Sequence, residues 1–136
     1  MSYFFYENIM DHYKNPRNKG KLDSYDSEYG DSNPTCGDNV KIYLKIEGNK
    51  IEKISFEGSG CAISMASSSI LTEMVKGATL DDALNISEKE IMNELGIKEL
   101  GPNRIKCVAL PVKVLKMAIL SFKAKQLQNE RKPRFF

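Results

Sequence analysis

From Val40 to Ile46, apolar residues alternate with Lys41, Tyr43 and Lys45, the period of a strand with one buried face. Gly48-Asn49 follows as a tight-turn pair, and Ile51 to Phe56 returns as the second strand of a hairpin. Ile51 is out of phase with Ile54 and Phe56, which predicts a bulge or a twist near the turn. Before the hairpin, Phe5, Ile9 and Tyr13 recur at helical spacing and predict an amphipathic helix over residues 3–13, ended before Pro16. Lys14 to Thr35 is rich in Asn, Gly, Asp, Ser and Pro and reads mainly as loop, with a short strand over Tyr25 to Tyr29. After the hairpin, Ile63, Ala66, Ile70 and Met74 form one helical stripe stopped by Gly77. Thr79-Leu80-Asp81-Asp82 opens a short helix. Ser87 with Glu90 is a capping box for another, which Gly96 stops. Pro111 belongs in or just before the first turn of the last helix, which is expected to bury Leu115, Ala118, Ile119 and Phe122. A helix, a small antiparallel sheet and a run of helices make an α+β fold, with the helices packed on one sheet face.

Composition narrows the class. The 136 residues suit one domain over 1–136, with 128–136 expected as a flexible tail. There is no repeat or low-complexity tract. A charged fraction of 28% beside 41% hydrophobic residues fits a globular chain. Twenty basic residues against 18 acidic ones are too balanced to make nucleic acid the main partner. No stretch reaches the apolar length of a membrane span. The N-terminus lacks the basic start and apolar run of a signal peptide, so the expected compartment is the cytoplasm. Thiols there more often bind metal or react than form structural bridges.

The three cysteines, Cys36, Cys61 and Cys107, each sit where sulfur can be activated. Cys61 ends the run Gly58-Ser59-Gly60 and precedes a helical pattern, whose free N–H groups and dipole favour thiolate. Cys107 follows Arg104-Ile105-Lys106, cations that lower a thiol pKa if they face it, and it too opens a helical pattern. Cys36 has Asp38 two positions on. An odd count cannot close entirely into internal disulfides. Three thiolates and one oxygen donor can close a tetrahedral metal or iron–sulfur site. Any one of these cysteines, taken singly, fits a small buried hydrophobe about as well. His12, the single histidine, lies beside the Phe5–Ile9 stripe and suits a partly buried structural role. Ser67-Ser68-Ser69 lacks the glycine frame of a nucleophile elbow and suits close helix packing.

Four blocks then carry a resemblance: Asp11-His12-Tyr13-Lys14-Asn15-Pro16-Arg17-Asn18-Lys19-Gly20, Asn33-Pro34-Thr35-Cys36-Gly37-Asp38, Gly58-Ser59-Gly60-Cys61 with the Ala62–Ser69 segment, and Arg104-Ile105-Lys106-Cys107. In this order they resemble the iron–sulfur cluster assembly scaffold family of IscU, SufU and the N-terminal domain of NifU, from about Tyr6 to Leu127. The resemblance implies that Cys36, Asp38, Cys61 and Cys107 converge as ligands and that Lys106 borders the site. It implies a [2Fe–2S] cluster built with persulfide sulfur from a cysteine desulfurase and passed to apo iron–sulfur acceptor proteins. Cys107 and Cys36 are the candidate persulfide acceptors, and Lys106 is the neighbour expected to favour thiolate.

The branch is mixed. Lys106 stands where IscU proteins carry His, and Leu100-Gly101-Pro102-Asn103-Arg104 replaces their chaperone-recognition segment, which argues against chaperone-assisted transfer. Both features are similar to SufU, as is Ser64-Met65-Ala66. The Cys61–Cys107 interval of 46 positions (107 − 61) is short, as in IscU. Zinc can occupy the same four side chains, so the competing expectation is a zinc-bound sulfurtransferase that relays sulfur from the desulfurase. Asp38 is a hard donor among soft thiolates, and a mixed set holds a cluster less permanently, as suits a carrier.

Overall fold

The chain runs α1 (Tyr3–Lys14), β1 (Ser27–Asn33), β2 (Asp38–Glu47), β3 (Lys50–Ser59), α2 (Ala62–Val75), α3 (Leu80–Leu84), α4 (Glu88–Leu95) and α5 (Pro102–Arg131). This computed structural model describes residues 3–34 and 37–131. The strands form an antiparallel meander in the order β1-β2-β3. Val40, Ile42, Leu44 and Ile46 turn inward from β2 and share one core with Leu71 and Val75 of α2 and with Leu115 and Ile119 of α5. The phase break in β3 is a bulge. Lys45 pairs with Lys53 and Ile46 with Ile51, leaving Glu52 unpaired, so Ile51, Ile54 and Phe56 are all buried.

Tyr43, on the other face of β2, is also buried. The Tyr25 ring meets it edge-on at 5.0 Å, the Lys41 ammonium lies 5.3 Å from its ring centre, and its hydroxyl bonds Glu57. β1 runs over Ser27–Asn33 rather than the expected Tyr25–Tyr29. Its residues have little intrinsic strand preference, and the ladder with β2 supplies the order instead. Ser27 Oγ also donates to the Ala118 carbonyl at 2.7 Å, tying β1 to α5. The outer edge of β3 is covered by two loop segments. Phe56 exchanges bonds with Asn18 and Gly20 at 2.9 and 2.8 Å, and Ile51 with Ala78 and Gly77 at 2.9 and 2.8 Å. A covered edge cannot recruit a foreign strand.

α2 differs from the one-sided helix the sequence predicts. Ser64, Ser67, Ser68, Ser69 and Thr72 are buried along with Ala66, Leu71 and Val75, whereas Ile70 and Met74 are only half-buried. The helix is enclosed by α1, β3, α4 and α5, so small side chains are needed on nearly every side. Ser87 caps α4 by accepting the Glu90 N–H at 3.3 Å, and Gly96 ends it at φ 78°.

The last helix begins at Pro102, and Pro111 lies inside it, contrary to the expectation that Pro111 opens it. Pro102 suits a first helical position, where no N–H is needed. Pro111 cannot bond the Cys107 carbonyl and costs about 3 kcal/mol in a helix interior. Burial of Val108, Leu110, Val112, Val114, Leu115, Ala118 and Ile119 offsets this, at about 1.5–3 kcal/mol for each of the larger side chains. Phe122, expected in the core, is half-buried at its rim. Cys107 therefore sits inside a helix rather than at its start.

Candidate metal centre

Three elements end or pass at the same corner. Asp38 is the first residue of β2, entered through Gly37 at φ 72°, whose N–H bonds the Asn33 carbonyl at 2.9 Å. Cys61 follows β3 as the N-cap of α2, and its sulfur accepts the Ser64 N–H at 3.3 Å. Cys107 arrives from α5. The sulfurs of Cys61 and Cys107 are 3.5 Å apart and unbridged, and with an oxygen of Asp38 they lie within 4.8 Å of one another.

Glycines make this approach possible. A Cβ at Gly60 would sit 2.3 Å from Asp38 Oδ1, and one at Gly58 would sit 2.2 Å from the Asn39 carbonyl oxygen. The run from Gly58 to Gly60 leaves space that side chains there would fill. It admits the Asp38 carboxylate, whose Oδ1 accepts the Cys61 N–H at 3.0 Å.

Asp38 is 1% exposed and Cys107 2% exposed, while Cys61 is only half-buried. Asp38 Oδ2 is buried and has no hydrogen-bond partner among the described residues. A buried, unsatisfied carboxylate oxygen is costly unless a cation or donor meets it. Two sulfurs and such an oxygen are a donor set that suits zinc or iron. Burial pushes the Cys107 thiol well up, and the nearby Cys61 sulfur and Asp38 carboxylate push it further.

Lys106 does not counter this. It is exposed while Cys107 is buried, and consecutive helical residues do not share a face. Lys106 instead lines an open groove of about 670 Å³ with Asp31, Lys113, Lys116, Met117 and Leu120. Lys113 pairs with Asp31 at 2.9 Å. Cys36 lies outside the described residues.

The block around Pro16 is a strap. His12 Nδ1 and the Arg17 backbone N–H both bond Ser69 Oγ, at 2.8 and 2.9 Å. Arg17 also pairs with Asp11 at 2.7 Å, and the Asn18 side-chain amide donates to Thr72 Oγ1 at 3.0 Å. The strap fastens α1 to α2 and passes on to β3. Burial, then the Arg17 cation, holds the His12 pKa below its ordinary value, in keeping with a structural histidine. The anchoring roles of Ser69 and Thr72 were not apparent in the sequence, where they read only as small residues of a packed helix.

A three-stranded meander with helices on one face and a cysteine–cysteine–aspartate cluster at its corner is the architecture of a metal- or sulfur-handling α+β domain. The chain belongs to the NifU-like N-terminal domain family, whose model matches residues 4–129. It is 42% identical over 124 residues to the iron–sulfur cluster assembly scaffold protein IscU of Haemophilus influenzae, covering 88% of this chain and 96% of that one. It is 41% identical over 128 residues to the zinc-dependent sulfurtransferase SufU of Bacillus subtilis, covering 82% and 86%. A crystal structure of a putative scaffold protein for the SUF system from Fervidobacterium islandicum superposes with a TM-score of 0.70 at 34% identity, covering 88% of this chain and 99% of that one. The N-terminal NifU-like protein of Brucella abortus, at 21% identity and a TM-score of 0.72 over 90% of this chain and 96% of that one, shares the fold. Among the described residues no helix is long and apolar enough to cross a membrane.

Proposed function

We propose that this domain is a scaffold on which a [2Fe–2S] cluster is assembled and from which it is passed to apo iron–sulfur acceptor proteins. Cys36, Asp38, Cys61 and Cys107 are the ligand set, and a cysteine desulfurase supplies persulfide sulfur to Cys107 or Cys36. The observation that carries this reading is the buried Asp38 oxygen, unpartnered among the described residues, beside two unbridged sulfurs 3.5 Å apart. Cys36 is two positions before Asp38, and two peptide units span at most about 7 Å, so chain length permits it to complete the set. The domain holds and transfers rather than catalyses. The groove edged by Lys106, Lys113 and Lys116 adjoins this corner and offers a donor protein a surface to rest on.

The second reading is a zinc-bound sulfurtransferase, favoured by the 41% identity to SufU and by Lys106 in place of His. Zinc held by the same four side chains would keep the sulfurs as thiolates ready for exchange. Anaerobic purification with metal and sulfide analysis separates the two. Brown protein with iron and labile sulfide supports the scaffold, and colourless protein with one tightly held zinc supports the relay. Folded protein that binds neither, and takes no sulfur from the desulfurase, overturns both.

A further inference from the structure

The exposed large apolar side chains gather on one helix. Of the four among the described residues, Met117, Leu120 and Leu127 all belong to α5. At 3.6 residues per turn their spacing puts them on one face, together with Lys106, Lys113 and Ala124, and all six are exposed. Leu115, Ala118 and Ile119, on the opposite side, are buried in the core. From Lys106 to Leu127 the outer face runs about 32 Å. Its charge has one sign, because α5 carries no Asp or Glu between Pro102 and Asn129. Asp31 pairs with Lys113 at 2.9 Å and Asp81 with Lys123 at 2.6 Å. Lys106 and Lys116 have no ion-pair partner among the described residues.

The first half of this face lines the groove, with the end of β1 and the start of α4 contributing Asp31 and Glu88. We propose that the groove and the outer face of α5 form one docking surface for an acidic amphipathic helix of a partner protein. The apolar residues of that helix cover Met117 and Leu120, and its flanking carboxylates meet Lys106 and Lys116. This deepens the reading that a donor protein rests here, by giving the chemistry of its contact.

Charge and shape choose this occupant over two others. A second copy would bring the same lysines against these, and the facing stretch of α5 has no carboxylate to receive them. An anionic bilayer would satisfy the lysines, but it is flat, and Asp31 and Glu88 beside the groove would meet its headgroups. A helix is about 10–12 Å across with its side chains and can enter a groove. Apolar residues at i, i+3, i+4 and i+7 on that helix match the spacing of the stripe it covers. The desolvated apolar contact then supplies most of the affinity, while the lysines at its rim set orientation and association rate.

The test uses the full chain and neither sulfur nor metal, so its failure is separate from failure of the scaffold reading. The probe is a fluorescent synthetic helix of about 18 residues, with leucines on one face and glutamates on both flanks. A peptide of the same composition with the leucines scattered, and one with lysines in place of the glutamates, are the controls. Anisotropy measures binding, and amide chemical shifts of the labelled protein locate it. The acidic helix should bind saturably, shift amides of α5 and of the groove, and weaken as salt rises. Leu120→Asp and Lys116→Glu, both at surface positions, should each weaken it by roughly 10-fold or more. Lys53→Glu makes the same charge change outside the groove and should alter binding by no more than about twofold. No saturable binding at low salt, equal binding of the scattered peptide, or indifference to both groove variants overturns the proposal. So does a dimer that Leu120→Asp dissolves in sedimentation, or binding to phosphatidylserine vesicles that the groove variants abolish while the peptide is ignored. If the peptide binds as expected but a cysteine desulfurase does not, the docking surface stands and the donor's place on it falls.

Discussion

Replacing Gly60 by alanine tests whether the corner is built around the Asp38 carboxylate. The new Cβ would lie 2.3 Å from Asp38 Oδ1, 3.0 Å from its Cγ and 3.2 Å from its Cα, so the carboxylate must move. Moving it breaks the bond from the Cys61 N–H. Hydrogen bonds to charged groups contribute about 1.5–3 kcal/mol, and the expected destabilisation of Gly60→Ala is therefore about 2–3 kcal/mol. Gly37→Ala is the comparison. It has φ 72° but no described atom within 4 Å of its added carbon, so the expected cost is the left-handed backbone term, about 1–2 kcal/mol. The assay is urea unfolding with a chelator present, followed by competition for zinc. Gly60→Ala should lose both stability and zinc affinity, while Gly37→Ala should lose the smaller amount of stability. In an Asp38→Gly background the side-chain obstacle is gone, and the cost of Gly60→Ala should fall by about 1 kcal/mol or more, a coupling typical of groups in contact. Equal costs in the two backgrounds, or a Gly60→Ala no worse than Gly37→Ala, would refute the close approach.

The other expectations are shorter. Ser69→Ala leaves the Arg17 N–H and His12 without their shared hydrogen-bond partner and should destabilise by about 1–3 kcal/mol, whereas Ser67→Ala removes a buried hydroxyl with no partner among the described residues and should be neutral or slightly stabilising; thermal unfolding compares them. His12 has its pKa held below the ordinary 6.5, so the unfolded chain takes up its proton first. Stability should therefore fall as pH drops from 6.5 towards the folded-state value, and His12→Gln should flatten that slope in pH-dependent urea melts. Asp38→Cys exchanges the hard donor for a soft one, so it should hold a [2Fe–2S] cluster longer and donate it to apo-ferredoxin more slowly, followed by visible circular dichroism under anaerobic conditions. Unchanged rates in folded, cluster-bearing protein would remove Asp38 from the ligand set.

What could be read from the sequence was what is local. The β2 alternation, the Gly48-Asn49 turn, the phase break at Ile51 and the Ser87 cap each declare themselves within a few residues. β1 was read short because its order comes from β2 and from Ala118, far along the chain. α5 was misread at Pro111, where a rule about one residue lost to a buried apolar surface spread over several turns. The candidate site divides in the same way. Cys61 at a helix N-cap after two glycines was visible, but residues 38, 61 and 107 share no periodicity, and only the family resemblance joined them before the fold did. That Lys106 turns away from its sequence neighbour is a fact of helical geometry that composition conceals.

That wide spacing has a consequence for the fate of the load. Asp38, Cys61 and Cys107 lie 23 (61 − 38) and 46 (107 − 61) positions apart on three separate elements. A Cys-x-x-Cys knuckle keeps a local grip on its ion when the surrounding domain melts. Here an opened chain keeps together at most the proposed Cys36 and Asp38 pair, one soft donor and one hard, and gathering the others again means closing both long loops against chain entropy. Where the proposed site holds a metal, binding and folding are one equilibrium: metal should raise the melting point, and melting should eject it. An iron carrier wired in this way would lose its load on unfolding rather than keep it on a denatured chain.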